Sequence, residues 1–142
     1  MKKYTSIFFL FALAIGCKKK EQLKESTWTA NGETFTAVAK PSLGKAIAVL
    51  ASDDAHNRFS IAFNAPYFPT EGTLTLGTPA ADGDVNVNFY YHDVFYIQLN
   101  SNTTVNVSLF NNKTHYTLPP LWFFNYYNHA DSVLIAGDFY EP

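Results

Sequence analysis

Ser26-Thr27-Trp28-Thr29-Ala30-Asn31-Gly32-Glu33-Thr34-Phe35-Thr36-Ala37 reads as two short alternating strands joined by a two-residue turn. Asn-Gly between such segments is the strongest short-range hairpin signal in a sequence. The favoured turn needs positive φ at both central positions, which asparagine tolerates and glycine adopts freely. It sets Trp28 opposite Phe35 and Thr27 opposite Thr36. One face then carries Trp28, Ala30, Phe35 and Ala37, and the other Thr27, Thr29, Thr34 and Thr36. A one-residue slip would exchange the two faces, so the register is well specified.

The same period of two recurs downstream. Phe59, Ile61 and Phe63 alternate with Ser60, Ala62 and Asn64. Val85, Val87, Phe89 and Tyr91 alternate with Asn86, Asn88, Tyr90 and His92. Phe95, Ile97 and Leu99 alternate with Tyr96, Gln98 and Asn100, and Val105, Val107 and Leu109 with Asn106, Ser108 and Phe110. Shorter strands are expected at Ala46–Ser52, Thr73–Leu76, Leu121–Tyr127 and Val133–Tyr140. Turn residues separate them at Asp53-Asp54, Pro66 and Pro69, Pro79 to Gly83, Asn100 to Asn102, Asn111-Asn112 and Pro119-Pro120. Many short strands, with no amphipathic helix between them, point to an all-β fold. The expected architecture is an antiparallel β-sandwich; the alternative is a calycin-like or other small β-barrel. One half-polar face per strand fits antiparallel sheets with a wet outer side.

Upstream of Ser26 the pattern changes. Lys2 and Lys3 precede the apolar run from Ile7 to Gly16, then come Cys17, the only cysteine, and Lys18-Lys19-Lys20. A positive start, a short apolar run and small residues before a cut define a secretion signal. The run is about half of the roughly 20 residues that span a bilayer as a helix. Ala14-Ile15-Gly16-Cys17 resembles the bacterial lipobox, with Leu13 one place earlier than the usual leucine. The expected organisation is a signal peptide over 1–16, a lipidated Cys17 with a charged tether over 17–25, and one domain over 26–142. Palmitate-type acyl chains on Cys17 would anchor the protein stably to a membrane. They would also leave the mature chain without a thiol, which excludes disulfides, cysteine nucleophiles and zinc–thiolate sites.

From Ser26 onward four basic side chains stand against ten acidic ones, a formal charge of about −6. Phosphate backbones need clustered lysine and arginine, so nucleic-acid binding is not expected.

The lipobox, the charged tether, Trp28-Thr29-Ala30-Asn31-Gly32 and Phe35-Thr36-Ala37 together resemble a group of small lipoproteins of Bacteroidota. Gly72-Thr73-Leu74-Thr75-Leu76-Gly77 and Gly137-Asp138-Phe139 carry the likeness further along the chain. The group has no assigned activity, so the resemblance implies location and fold only. It implies an outer-membrane lipoprotein, on the periplasmic face or the cell surface. Lys18 rather than aspartate after Cys17 points to the outer membrane by analogy with lipoprotein sorting in other bacteria. Asp131-Ser132-Val133 resembles the O-glycosylation acceptor of exported proteins in these bacteria, which makes Ser132 a candidate for modification.

Chemistry-bearing clusters are sparse. His92-Asp93 and His129-Ala130-Asp131 bring imidazoles near carboxylates, but neighbours on a strand point to opposite faces. Asp82-Gly83-Asp84-Val85-Asn86-Val87-Asn88 has oxygen ligands at alternate positions, yet Val87 stands where a calcium loop needs glycine. Asp53-Asp54 reads as an acidic turn. No catalytic, metal or cofactor site is therefore expected. Aromatic residues make up 17% of the chain, dense enough in Phe89-Tyr90-Tyr91 and Trp122-Phe123-Phe124-Asn125-Tyr126-Tyr127 to put rings on both faces. Tyr90, Tyr96 and Tyr126 beside Asn86, Asn88 and Gln98 are the expected ligand face, for a glycan or a protein. The functional expectation is a non-enzymatic interaction or structural module on a lipid tether; the alternative is a glycan-binding accessory lipoprotein.

Overall fold

The structure, a computed structural model, describes residues 23–42, 46–51, 55–79, 81–100 and 102–142. The expected signal peptide, Cys17 and Asp53-Asp54 lie outside the described residues. The strands are β1 (Glu25–Ala30), β2 (Glu33–Val38), β3 (Lys40–Pro41), β4 (Ile47–Ala51), β5 (Arg58–Phe63) and β6 (Gly72–Thr75). They continue as β7 (Val85–Tyr91), β8 (Val94–Ile97), β9 (Thr104–Phe110), β10 (Lys113–Asn125) and β11 (Ser132–Tyr140).

The expected all-β, antiparallel class is what the chain adopts. The strands form one sheet in the order β2-β1-β11-β10-β8-β7-β5-β4-β3, with β9 pairing both β10 and β6. That sheet curls into a half-barrel, so its two halves meet inner face to inner face. Phe59 of β5 links them, stacking on Phe139 of β11 at 4.4 Å between ring centres and lying 6.4 Å from Trp28 of β1. Trp28, Phe59, Phe63, Phe89, Tyr116, Phe123 and Phe139 are all fully buried. Each large apolar side chain removed from water contributes about 1.5–3 kcal/mol. No thiol chemistry holds this core together; ring packing does.

The first hairpin folds in the register its sequence dictates. Trp28 pairs with Phe35 and Thr27 with Thr36, around a turn with φ of 48° at Asn31 and 85° at Gly32.

Three other expectations are corrected. Pro119-Pro120 is not a turn: β10 runs through it from Lys113 to Asn125. A bulge accommodates the prolines, since between the Leu118–Gly137 and Leu121–Ile135 pairs β10 holds one residue more than β11. Proline has no N–H to donate, and a bulge is where a strand can spare one. The extra residue flips the alternation. Tyr116 and Leu118 face the core before it, Phe123 after it, and Trp122 is left outside.

The second correction is at His92-Asp93, which forms a two-residue turn with φ of 49° and 63°, so β7 stops at Tyr91. Its geometry repeats that of Asn31-Gly32 without glycine. The third is at the end of β8, which stops at Ile97 rather than Asn100. Here the Gln98 side-chain carbonyl accepts from the N–H groups of Leu99 and Asn100, at 2.7 and 3.1 Å. A side chain has taken the place of a partner strand.

The fold has two distinct ends. At one, Lys24 donates to the Tyr140 hydroxyl (2.7 Å) and sits 4.1 and 4.3 Å from the ring centres of Phe110 and Tyr140. The Asn111-Asn112 turn and the chain end around Glu141 are at this same end. At the other end, the Asn31-Gly32 turn bonds to Leu134, and Tyr91 donates to Glu33. His92-Asp93 and the turn from Tyr126 to Asp131 also belong to this second, distal end.

Candidate functional site

On β7 the odd residues Val85, Val87 and Phe89 point inward, which turns Asn86, Asn88 and Tyr90 outward. Pairing carries Tyr90 beside Arg58 of β5 on one side and Phe95 of β8 on the other. The result is a ladder on the wet face of the sheet. The Arg58 guanidinium lies 4.4 Å from the Tyr90 ring centre, and Tyr90 stacks on Phe95 at 5.0 Å. Phe95 meets Tyr126 at 5.7 Å, and Tyr126 meets Tyr127 edge-on at 5.1 Å. Tyr126 and Tyr127 are 49% and 86% exposed, so the ladder opens to solvent towards its β10 end.

The turn that presents these last two rings is rigidly tied. The Asn125 side-chain carbonyl accepts from the N–H groups of Tyr127 and Asn128, and its amide donates to Asp131. The Tyr126 N–H donates to the Phe95 carbonyl at 2.9 Å. Ring placement is thus set by backbone bonds, not by ring contacts alone.

Beside the ladder lies a groove of about 190 Å³. Its floor is Asn86 and Asn88, one wall is Phe95, Ile97 and Tyr126, and the other is Gly77-Thr78-Pro79. Gly77 has a steric reason to be glycine: a Cβ there would come within 2.3 Å of the Asn86 Oδ1 atom.

Of the residues expected on a ligand face, Tyr90, Tyr126, Asn86 and Asn88 do share the outer side. Tyr96 does not. It is buried on the inner side beside Phe89, and its hydroxyl donates to Asp131 at 3.0 Å. Burial, with the Asp131 carboxylate added, pushes the Tyr96 hydroxyl up to about 12. Gln98 lines the groove but is itself buried, with its amide donating to Thr103 and its carbonyl engaged as above. It shapes the site with its carbonyl already engaged and its amide turned to Thr103. Phe95 holds the place expected for Tyr96. Ser132 opens β11 opposite Phe124, half-buried on the outer side.

The titratable clusters do not build a reaction centre. His56 pairs with Asp93 at 2.5 Å, tying the loop before β5 to the β7–β8 turn, and both side chains are more than half exposed. His92 faces Glu33 at 3.8 Å rather than Asp93. Asp131 serves Tyr96 and Asn125 instead of His129. Asp84 accepts from both the N–H and the hydroxyl of Thr75, which hold its carboxyl below the usual value, so it is already spent.

One array has no counterpart in the sequence reading. Ser108 Oγ lies 3.1 Å from His115 Nδ1, and His115 Nε2 lies 3.2 Å from Asp138 Oδ1. Cross-strand pairing brings these residues together from β9, β10 and β11. At these positions β10 and β11 are paired on both sides and β9 is paired with β10, so the surrounding backbone N–H groups of β10 and β11 serve the sheet rather than an oxyanion hole. The array is a polar ladder on a flat face, and nothing among the described residues points to catalysis. No three His, Cys, Asp or Glu side chains among the described residues converge as a metal site. No family model, curated protein or solved structure matches the chain.

Proposed function

We propose that this chain is an exported lipoprotein whose β-domain is a non-catalytic binding module, held to the outer membrane through acyl chains on Cys17. The ligand surface is the outer aromatic ladder of Arg58, Tyr90, Phe95, Tyr126 and Tyr127. One observation carries this reading. The ladder lies at the distal end, while the chain enters the fold at Lys24 on the opposite end. Only the tether residues separate Lys24 from Cys17, so the rings face away from the membrane. Contiguous exposed apolar surface on an otherwise wet face marks an interaction site. Tyrosine suits that role because its ring packs while its hydroxyl stays hydrated.

Maleimide labelling of isolated membranes tests the arrangement, because Cys17 is the only cysteine. Wild-type protein should resist the reagent, its sulfur being held in a thioether to the lipid, whereas a Tyr127→Cys variant should react readily while membrane-bound. Alkylation of wild-type Cys17 would sink the lipid tether. A Tyr127→Cys thiol shielded only in membranes would place the ladder against the bilayer instead.

A further inference from the structure

We infer that the groove beside the ladder is a subsite for one neutral pyranose ring of a glycan. Phe95 and Tyr126 would pack against the apolar face of the sugar, and Asn86 and Asn88 would read its hydroxyls. The inference rests on the binding-module reading and names its ligand.

Size is the first argument. A groove of about 190 Å³ falls below the roughly 300–1,000 Å³ of sites for drug-sized ligands. One six-membered ring suits it, with further residues of a glycan lying along Tyr127 and Tyr90.

Charge is the second. The lining contains no carboxylate, lysine, arginine or histidine. A charged ligand would lose water there and find no opposite charge in return. Arg58, the one cation on the ladder, already covers the Tyr90 ring. A domain with about six excess negative charges further disfavours anionic ligands.

Hydrogen-bonding chemistry is the third. Asn86 and Asn88 sit two apart on one strand, about 7 Å along it. Each offers two donors and an acceptor, the complement of a row of hydroxyls that both give and accept. Neither side chain hydrogen-bonds to any described residue, so both are available to a ligand.

The groove is also preformed. The Gly77 N–H donates to the Val85 carbonyl at 2.7 Å, and Thr78 and Ala81 exchange backbone bonds, fixing one wall. Asn125 fixes the other through Tyr126. A rigid site spends little binding energy on ordering itself. A peptide strand is disfavoured as occupant, since β7 is paired on both edges and offers no free ladder bonds.

The test uses the full mature chain with Cys17→Ser, labelled with nitrogen-15. It is titrated with xylohexaose, cellohexaose, laminarihexaose and mannohexaose while the side-chain amide signals of Asn86 and Asn88 are followed. At least one oligosaccharide should shift those signals to saturation below about 5 mM. Tyr126→Ala and Asn88→Ala should each weaken that binding about tenfold or more, and Trp122→Ala, outside the groove, should leave it unchanged. Amide spectra of each variant verify the fold. Absence of a saturable shift with all four sugars, or binding indifferent to both groove variants, would overturn the inference. Tighter binding of glucose 6-phosphate than of the neutral sugars would overturn it too. These failures would leave the maleimide result standing, whereas alkylated Cys17 would remove the tether without touching the sugar site.

Discussion

Adjacent residues of the β7–β8 hairpin have opposite employment. Phe89 and Tyr96 point into the half-barrel, where Phe89 meets Phe59 and Phe123, and Tyr96 is pinned to Asp131. Tyr90 and Phe95, one residue along on each strand, point out and stack on each other in front of Arg58. Both faces are aromatic, but only the inner one closes the fold. The outer rings are a surface the fold does not require, which is why they read as binding equipment. Aromatic content alone cannot separate the two roles; the face does.

The largest expected effect lies on the inner face. Phe59→Ala removes the ring that joins Trp28, Phe89 and Phe139, and should cost about 3–5 kcal/mol in urea unfolding. A loss under 1 kcal/mol would mean that the two halves of the sheet do not depend on this contact.

Next comes alkaline pH. Burial raises the hydroxyl pKa of Tyr96 to about 12 and also raises those of Tyr91 and Tyr116. An unfolded chain gives up these protons from about pH 10. The folded form therefore keeps its full advantage below pH 10 and loses it as pH rises towards 12, by an amount of order 2 kcal/mol for Tyr96. Urea midpoints measured from pH 8 upward should fall in that window, less steeply for Tyr96→Phe. An identical fall in that variant would place Tyr96 outside the core.

Outer-face truncations should cost less. Tyr90→Ala forfeits its pair with Phe95, and Tyr126→Ala its pairs with Phe95 and Tyr127, each pair worth about 0.5–1.5 kcal/mol, with little buried area added. A loss matching that of Phe59→Ala would erase the distinction between the faces. The smallest change expected is a gain. His92→Asn puts a residue that tolerates positive φ into the second hairpin turn, and should stabilise it by about 0.5 kcal/mol.

The two hairpins also show how far sequence reading reaches. Asn31-Gly32 declares its turn, because few other pairs adopt positive φ twice without strain, and the register of β1 and β2 follows residue by residue. His92-Asp93 makes the same turn, but histidine and aspartate are equally at home elsewhere. What holds them there is tertiary: the Asp93 N–H donates to the His56 carbonyl, and the His92 N–H to Asn57. Missing that turn shifts the reading of β8 by one residue, and so exchanges Phe95 for Tyr96 on the ligand face. The available cue was the pair of alternating runs on either side of an Asp that tolerates such φ values. Pro119-Pro120 misleads in the opposite direction, because a bulge lets a strand pass where two prolines suggest a stop. Local rules located most strands; contacts between distant segments decided which face each ring takes.

Hydroxyl-radical footprinting of the free mature chain measures that face directly. Tyr126 and Tyr127 should oxidise rapidly and Tyr90 and Phe95 more slowly, with Tyr96 protected alongside Phe59 and Phe89. Oxidation of Tyr96 as fast as Tyr126, with Phe95 protected, would contradict this and return the ligand face to the other register.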